Sequence, residues 1–211
     1  MLQKDQHREV LSVEVEENAL VTHGDTKSFE AKNELEIWKE FKKGNESAFT
    51  HIYRTYFSSL FRYSSQFTHD KELIKDSIQD LFIELRKNRK NLSDTDSIKL
   101  YLFKSIRRKV IASKERIRKN LVDRELLDGY NFKITFSIEH LTILRQIKEE
   151  KLSRLNLAIE KLTRRQKEVI YYFYHENMSY DEVKSIMDLK STKSARNLLY
   201  KALHVLKSEM T

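Results

Sequence analysis

The sequence predicts an all-α chain of two small helical domains joined by a linker. Three observations carry that expectation. Apolar residues recur at spacings of three and four through residues 34–119 and again through 154–211, the period of helices with one buried face. The pattern fades over residues 120–153, the expected linker. The 211 residues also contain no proline and only three glycines, Gly24, Gly44 and Gly129, whereas sandwiches and barrels normally punctuate their strands with both. Scarce glycine removes phosphate-cradling loops and dinucleotide-binding turns. Absent cysteine removes disulfides, thiol nucleophiles and cysteine-ligated metals, and suits a reducing cytoplasm. No run reaches the roughly 18 apolar residues of a membrane span, and no basic-then-apolar leader opens the chain, so the expected location is cytoplasmic.

Residues 1–33 read as an acidic flexible tail, with four basic and seven acidic side chains, no sustained apolar period, and in Val10, Val13 and Val15 too little to build a core. The first helix gathers Leu35, Ile37, Trp38 and Phe41 and stops at Lys43-Gly44. A second opens on Asn45 as N-cap and is expected to reach about Phe67, with Phe49, Ile52, Tyr53, Tyr56, Leu60, Tyr63 and Phe67 as an aromatic seam. A third, from about Asp70 to Asn88, turns Ile74, Ile78, Leu81, Phe82 and Leu85 inward. Its other face carries Asp76, Gln79, Asp80 and Glu84, and the three acids, each four apart, make an acidic ridge about three turns long. After the polar stretch Asn91 to Asp96, a fourth helix places Ile98, Leu102, Ile106 and Val110 every four residues. Lys99, Lys104, Arg107, Arg108 and Lys109 fill the positions between. Phe103 there reads as core; Tyr101 fits core and base stacking equally well.

In the linker, Asp128-Gly129-Tyr130-Asn131 is a turn signal, and Phe132, Ile134 and Phe136 alternate like a short strand. A lone strand is not stable, so this segment is expected to order only against a partner. The last 60 or so residues read as four short helices. Leu155, Ala158, Ile159 and Leu162 define the first. Thr163-Arg164-Arg165-Gln166 is a capping box opening the second, and Ser179-Tyr180-Asp181-Glu182 opens a very short third that ends near Met187. Ser191 caps the fourth, whose expected buried stripe is Ala195, Leu198, Leu199, Ala202, Leu203 and Leu206. A short capped helix, a tight turn and a longer helix with a basic outer face form a helix-turn-helix pattern, which other helical pairs also imitate.

Charge is unevenly spread. The formal net charge is +8, and residues 99–119 hold nine basic side chains against one acid, Glu115. Such a stripe suits a polyanion, because neutralised phosphates release counterions; a solvated helix face is the plainer account. Chemistry is not encoded in any comparable way. The seven histidines never fall three to five apart, no activated-serine motif occurs, and Asp76 and Asp80 lack a third ligand. No catalytic residue, metal or cofactor is expected.

Four stretches, taken together and in this order, resemble one family. Asp76-Ser77-Ile78-Gln79-Asp80-Leu81-Phe82 resembles the acidic core-binding helix of bacterial sigma factors. Tyr101-Leu102-Phe103-Lys104-Ser105-Ile106-Arg107-Arg108 is similar to the promoter-melting helix that follows it. Leu162 to Ile170 and Ser179 to Val183 resemble the C-terminal domain that reads the −35 element, and Ser194 to Leu203 resembles its recognition helix. Size and order match the extracytoplasmic-function (ECF) subgroup, over roughly residues 36–118 and 155–208. Some positions depart from the family pattern. Thr163 stands where Pro is usual, Asp188 where the turn has Gly, and Lys184 where a small residue is usual; Arg108 and Tyr101 replace a frequent Asn and Trp. Met187 to Ala195 is also one residue longer than usual.

The resemblance implies a core-binding and −10-reading domain at 34–119 and a four-helix, −35-reading domain at 154–211, without enzymatic activity. It implies docking on core RNA polymerase through Asp76, Gln79, Asp80 and Phe82. It implies contact with −10 DNA through Lys99, Tyr101, Lys104, Arg107, Arg108 and Lys109. For −35 DNA it implies Ser191, Lys193, Ser194, Arg196, Asn197, Tyr200 and Lys201, and it implies an anti-sigma factor as a regulatory partner. The longer turn leaves two registers for the last helix, one burying Ala195 and the other Ser194. The first buries no hydroxyl and keeps the apolar stripe together. Two other readings fit parts of the chain: a stand-alone helix-turn-helix regulator binding an operator as a dimer, and a helical adaptor or RNA-binding protein relying on the stripe at 99–119.

Overall fold

The computed structural model describes Phe29, residues 32–120, residues 132–134 and residues 149–210, with side chains placed outside 118–120 and 149–153. Most of the expected tail and linker, Phe136 included, lies outside the described residues. The chain divides into two compact units, one of Met1–Ser65 with Asp70–Ile117, the other of Gln66–His69 with Arg118–Thr211. Every regular element among the described residues is helical. None of those helices is long and apolar enough to cross a membrane.

In the N-terminal unit, α1 spans Glu34–Lys43 and starts with a capping box between Asn33 and Glu36. It stops at Gly44, whose φ of 99° lies in the left-handed region that glycine enters without a Cβ clash. Helix α2 (Glu46–Ser64) is capped by Asn45, and α3 (Lys71–Asn88) by Asp70. A 3₁₀ turn at Arg89–Asn91 leads to α4 (Ile98–Asn120). The second helix ends earlier than its apolar pattern suggests. Ser64 is its last residue, and Phe67 lies in the turn beyond it, yet buried, because a seam of apolar residues records burial and not helical continuation.

Trp38, Phe41, Phe49, Ile52, Leu60 and Tyr63 form the middle of this core with Ile74, Ile78, Leu81, Phe82 and Leu85. From α4 come Ile98, Leu102, Ile106 and Val110, all at 1 % exposure or less, so every fourth residue is fully enclosed. Phe103 is also buried and stacks on Tyr63 at 4.7 Å. The Trp38 indole N–H donates to the Ser93 carbonyl at 2.9 Å, while its ring lies 5.0 Å from Tyr101. The Glu34 carboxylate joins three helices, accepting from the Tyr56 hydroxyl at 2.5 Å and from the Ile98 backbone N–H at 2.6 Å. Burial first, and then this carboxylate, raise the Tyr56 hydroxyl well above its ordinary pKa of 10.0.

In the C-terminal unit, α5 spans Glu149–Lys161 and α6 spans Arg164–Ile170, continuing as a π-turn over Tyr171–His175. Helix α7 (Tyr180–Ile186) precedes α8 (Thr192–Met210). Their shared core holds Ala158, Ile159, Leu162, Val169, Ile170, Tyr172, Val183, Ile186, Ala195, Leu199 and Ala202. The π-turn brings the Tyr171 hydroxyl and His175 Nδ1 onto one oxygen of Glu176, at 2.9 and 3.1 Å. Residues 132–134, strand-like in their alternation but expected as linker, are irregular. Phe132 instead fills an aromatic site, edge-on to Phe67 at 5.0 Å and to Tyr171 at 5.5 Å, and the Lys133 N–H donates to the Gln66 carbonyl.

Two outcomes follow from these cores. Tyr56 is protonated in the fold to a higher pH than in the unfolded chain, so its contribution is complete below pH 10.0 and is lost as pH rises beyond it. Tyr56→Phe should lower stability at neutral pH by about 1.5 kcal/mol, through the lost bond to a charged acceptor. It should also flatten the decline above pH 10, both read from urea melts of the full chain across a pH series. Ala195→Glu places a carboxylate at a position with no exposure, and should destabilise the C-terminal unit by at least about 3 kcal/mol. A variant that melts at the wild-type temperature would show that this helix register is wrong.

Candidate nucleic-acid and protein interfaces

On the N-terminal unit, Asp76, Gln79 and Asp80 are half-buried along one face of α3. Phe82 is not on that face. It is 1 % exposed, edge-on to Tyr53 at 4.8 Å and to Phe49 at 6.0 Å. It takes the inward position read from its spacing, beneath the ridge and away from the surface. Glu84, at the end of the ridge, is ion-paired with Lys109 of α4 at 2.6 Å.

Along α4, Arg108 is exposed and Lys99, Tyr101, Lys104, Arg107 and Lys109 are half-buried. Four apolar positions fix the buried side of this helix, so its cations are displayed around the remainder. Lys99 Nζ lies 5.5 Å from the Phe103 ring centre, its stem running over an aromatic that is itself core. Tyr101 leans on Trp38, so one face of its ring packs while part of it meets solvent. Lys109 pairs its ammonium with Glu84.

In the C-terminal unit the helix-turn-helix is built by local caps. Ser179 and Glu182 close a capping box at α7, and Ser191 Oγ accepts the Ser194 N–H at the start of α8. The Thr192 hydroxyl donates to Asp181 at 2.7 Å, tying the first turn of α8 to the first turn of α7. Asp188, in the turn between α7 and α8, has φ of 50°, a left-handed geometry Asp tolerates better than most residues. Lys184 keeps its ammonium at the surface, 3.6 Å from Asp181.

Ala195 is the buried residue of the recognition segment and Ser194 is half-buried, its hydroxyl 3.0 Å from that of Ser191. Lys193, Arg196, Asn197, Tyr200 and Lys201 are exposed, Tyr200 at 70 %. Ser191 and Ser194 thus serve the helix start. Leu203, expected in the buried stripe, is 37 % exposed. Ala195, Leu199 and Ala202 already fill the inward line, and Leu203 falls one position round the helix from it. Two residues that sequence reasoning passed over matter here. Glu34 has partners 22 and 64 residues away, and Tyr180 carries the Arg196 guanidinium 5.2 Å from its ring centre. Neither relation leaves a local sequence signal.

No family model and no curated protein sequence matches this chain. Solved structures do. The fold is similar to that of CnrH in complex with the cytosolic domain of CnrY, at 17 % identity, covering 82 % of this chain and 94 % of that one, with a TM-score of 0.54. It is also similar to the sigma factor RpoE in complex with the anti-sigma factor NepR from Bartonella quintana, at 14 % identity, covering 77 % and 96 %, with a TM-score of 0.55. The chain therefore has the fold of these proteins, all-helical in its described residues and divided into two units.

The Glu84–Lys109 pair gives a direct test of the α4 surface. Glu84→Ala releases one ammonium. The salt dependence of binding to a single-stranded oligonucleotide should steepen by up to about 0.7 in log–log slope, with tighter binding at low salt.

Proposed function

We propose that this chain is a sigma factor of the ECF group, which binds core RNA polymerase and directs promoter-specific initiation. One juxtaposition carries the reading: an acidic ridge on α3 beside the cationic helix α4, in a chain that also holds a helix-turn-helix with an exposed basic recognition face. The fold shared with the sigma factor RpoE supports it. A stand-alone regulator would use the C-terminal unit only and leave the ridge without a purpose.

In this mechanism Asp76, Gln79 and Asp80 meet a basic surface of the polymerase, and Phe82 keeps their helix seated from within. Lys99, Lys104, Arg107 and Arg108 hold phosphates of the −10 strand, and Tyr101 offers a partly exposed ring for an unstacked base. Lys193, Arg196, Asn197, Tyr200 and Lys201 face the −35 element, combining phosphate contacts that set register with base-edge contacts that specify. The proteins of similar fold were solved with CnrY and with the anti-sigma factor NepR, which favours an anti-sigma partner here too. No covalent chemistry is assigned to the chain.

Asp80→Arg tests the docking step. Like charge against a basic partner costs several kcal/mol at an interface. Co-purification with core polymerase should fall at least about tenfold, while circular dichroism keeps the wild-type helical signal. Undiminished co-purification would count against the whole reading.

A further inference from the structure

We infer that Tyr180 is a specificity-determining residue that acts through Arg196, holding its guanidinium in the pose that reads a base. The inference rests on the reading of α8 as the −35 recognition helix.

Arg196 sits on the exposed face of α8, where an arginine side chain ordinarily samples many rotamers. Here it does not stand by itself. Its guanidinium lies 5.2 Å from the centre of the Tyr180 ring, and that ring lies 4.9 Å from Phe173, tilted by 32°. Phe173, Tyr180 and Arg196 form a three-layer stack, drawn from the π-turn, the first residue of α7 and the second turn of α8. At its base Phe173 is half-buried and meets Tyr174 edge-on at 5.3 Å. The middle layer is fixed by the capping box, which sets the backbone of Ser179 and hence of its neighbour Tyr180. The spacing between α7 and α8 is held at the same end by the hydrogen bond from Thr192 to Asp181.

The geometry favours a positioning role over a purely structural one. Tyr180 is half-buried, and the core beneath is already closed by Val183, Ile186 and Ala195, each at 0 % exposure. Guanidinium stacks well on an aromatic face and still leaves its N–H fork free in plane. A fork held this way forms paired hydrogen bonds with guanine O6 and N7 at a smaller ordering cost. The preferred base at the position Arg196 reaches is therefore guanine, and its selection depends on a residue that does not itself touch the base.

The test uses holoenzyme reconstituted from the full chain and core polymerase, transcribing a promoter library randomised across the −35 element. Arg196→Ala should relax selection at one base pair. Tyr180→Leu should weaken the guanine preference at that same pair by about two- to fivefold, and leave the other positions unchanged. Tyr180→Phe, which keeps the aromatic face, should restore the wild-type profile. Tyr180→Leu added to Arg196→Ala should change nothing further. An equal loss at every position, or the same loss in the Arg196→Ala background, would show that Tyr180 merely supports the fold and overturn the inference. Should Arg196→Ala leave selection intact while transcription stays polymerase-dependent, the inference falls and the sigma-factor reading stands. Without polymerase-dependent transcription from any library member, both fall together.

Discussion

The start of helix α4 is held by two side chains, the Ser97 cap and the carboxylate of Glu34, and the Glu34 carboxylate also ties that start to the rest of the bundle. The first N–H groups of a helix have no partner within it, and an anion placed there is favourable both as acceptor and against the helix dipole. One oxygen of Glu34 takes the Ile98 N–H and the other takes the Tyr56 hydroxyl, so α1, α2 and α4 meet at a single side chain. The need is real, since residues 99–119 carry nine basic side chains and one acid. Like charges four apart, as at Lys104 and Arg108, disfavour an isolated helix by a few tenths of a kcal/mol per pair. Burial of Ile98, Leu102, Ile106 and Val110 outweighs this repulsion, at about 1.5–3 kcal/mol for each fully buried aliphatic side chain.

A different constraint shapes the C-terminal unit. The turn between α7 and α8 must deliver Ala195 to the core, where it has no exposed surface. The turn is completed before α8 begins. The Leu189 N–H bonds back to the Lys184 carbonyl, Asp188 takes left-handed geometry, and Ser191 then caps a fresh helix. The register of α8 follows its own apolar line of Ala195, Leu199 and Ala202. With that line turned inward, Arg196 and Asn197 reach solvent together and Ser194 remains at the cap.

The parts of this molecule legible in the sequence are those governed by one period or one local cap. The every-fourth spacing of α4 and the start sites at Asn45, Asp70, Thr163, Ser179 and Ser191 are of that kind. Phe82 shows what happens when two kinds of reasoning disagree: helical spacing turned it inward, family resemblance turned it outward, and its 1 % exposure sides with spacing. Leu203 shows the limit of spacing, because a stripe of six apolar residues is wider than the core below it can accept. Phe67 and Phe132 mark a second limit. Both are buried, but by rings distant in sequence, and neither a helix nor a strand period applies to them. The bonds of Glu34 and the stack on Tyr180 join residues far apart in the chain, and no period or cap encodes them.

How a chain without proline and almost without glycine stops and starts so many helices has a physical answer. Every helix whose start has described side chains opens on a capping residue: Asn33, Asn45, Asp70, Ser97, Thr163, Ser179 and Ser191 each accept a backbone N–H from the first turn. Each cap contributes about 1 kcal/mol, which matters most for α6 and α7, at seven residues too short to persist by themselves in water. Among the described residues, left-handed turns fall to Gly44, Asn177 and Asp188, the residue types that enter this region at least cost. Caps of this sort fix where a helix begins to within one residue. For the exposed face of α8 that is the decisive quantity, since a shift of one residue rotates every side chain on it by about 100° and would carry Arg196 off Tyr180.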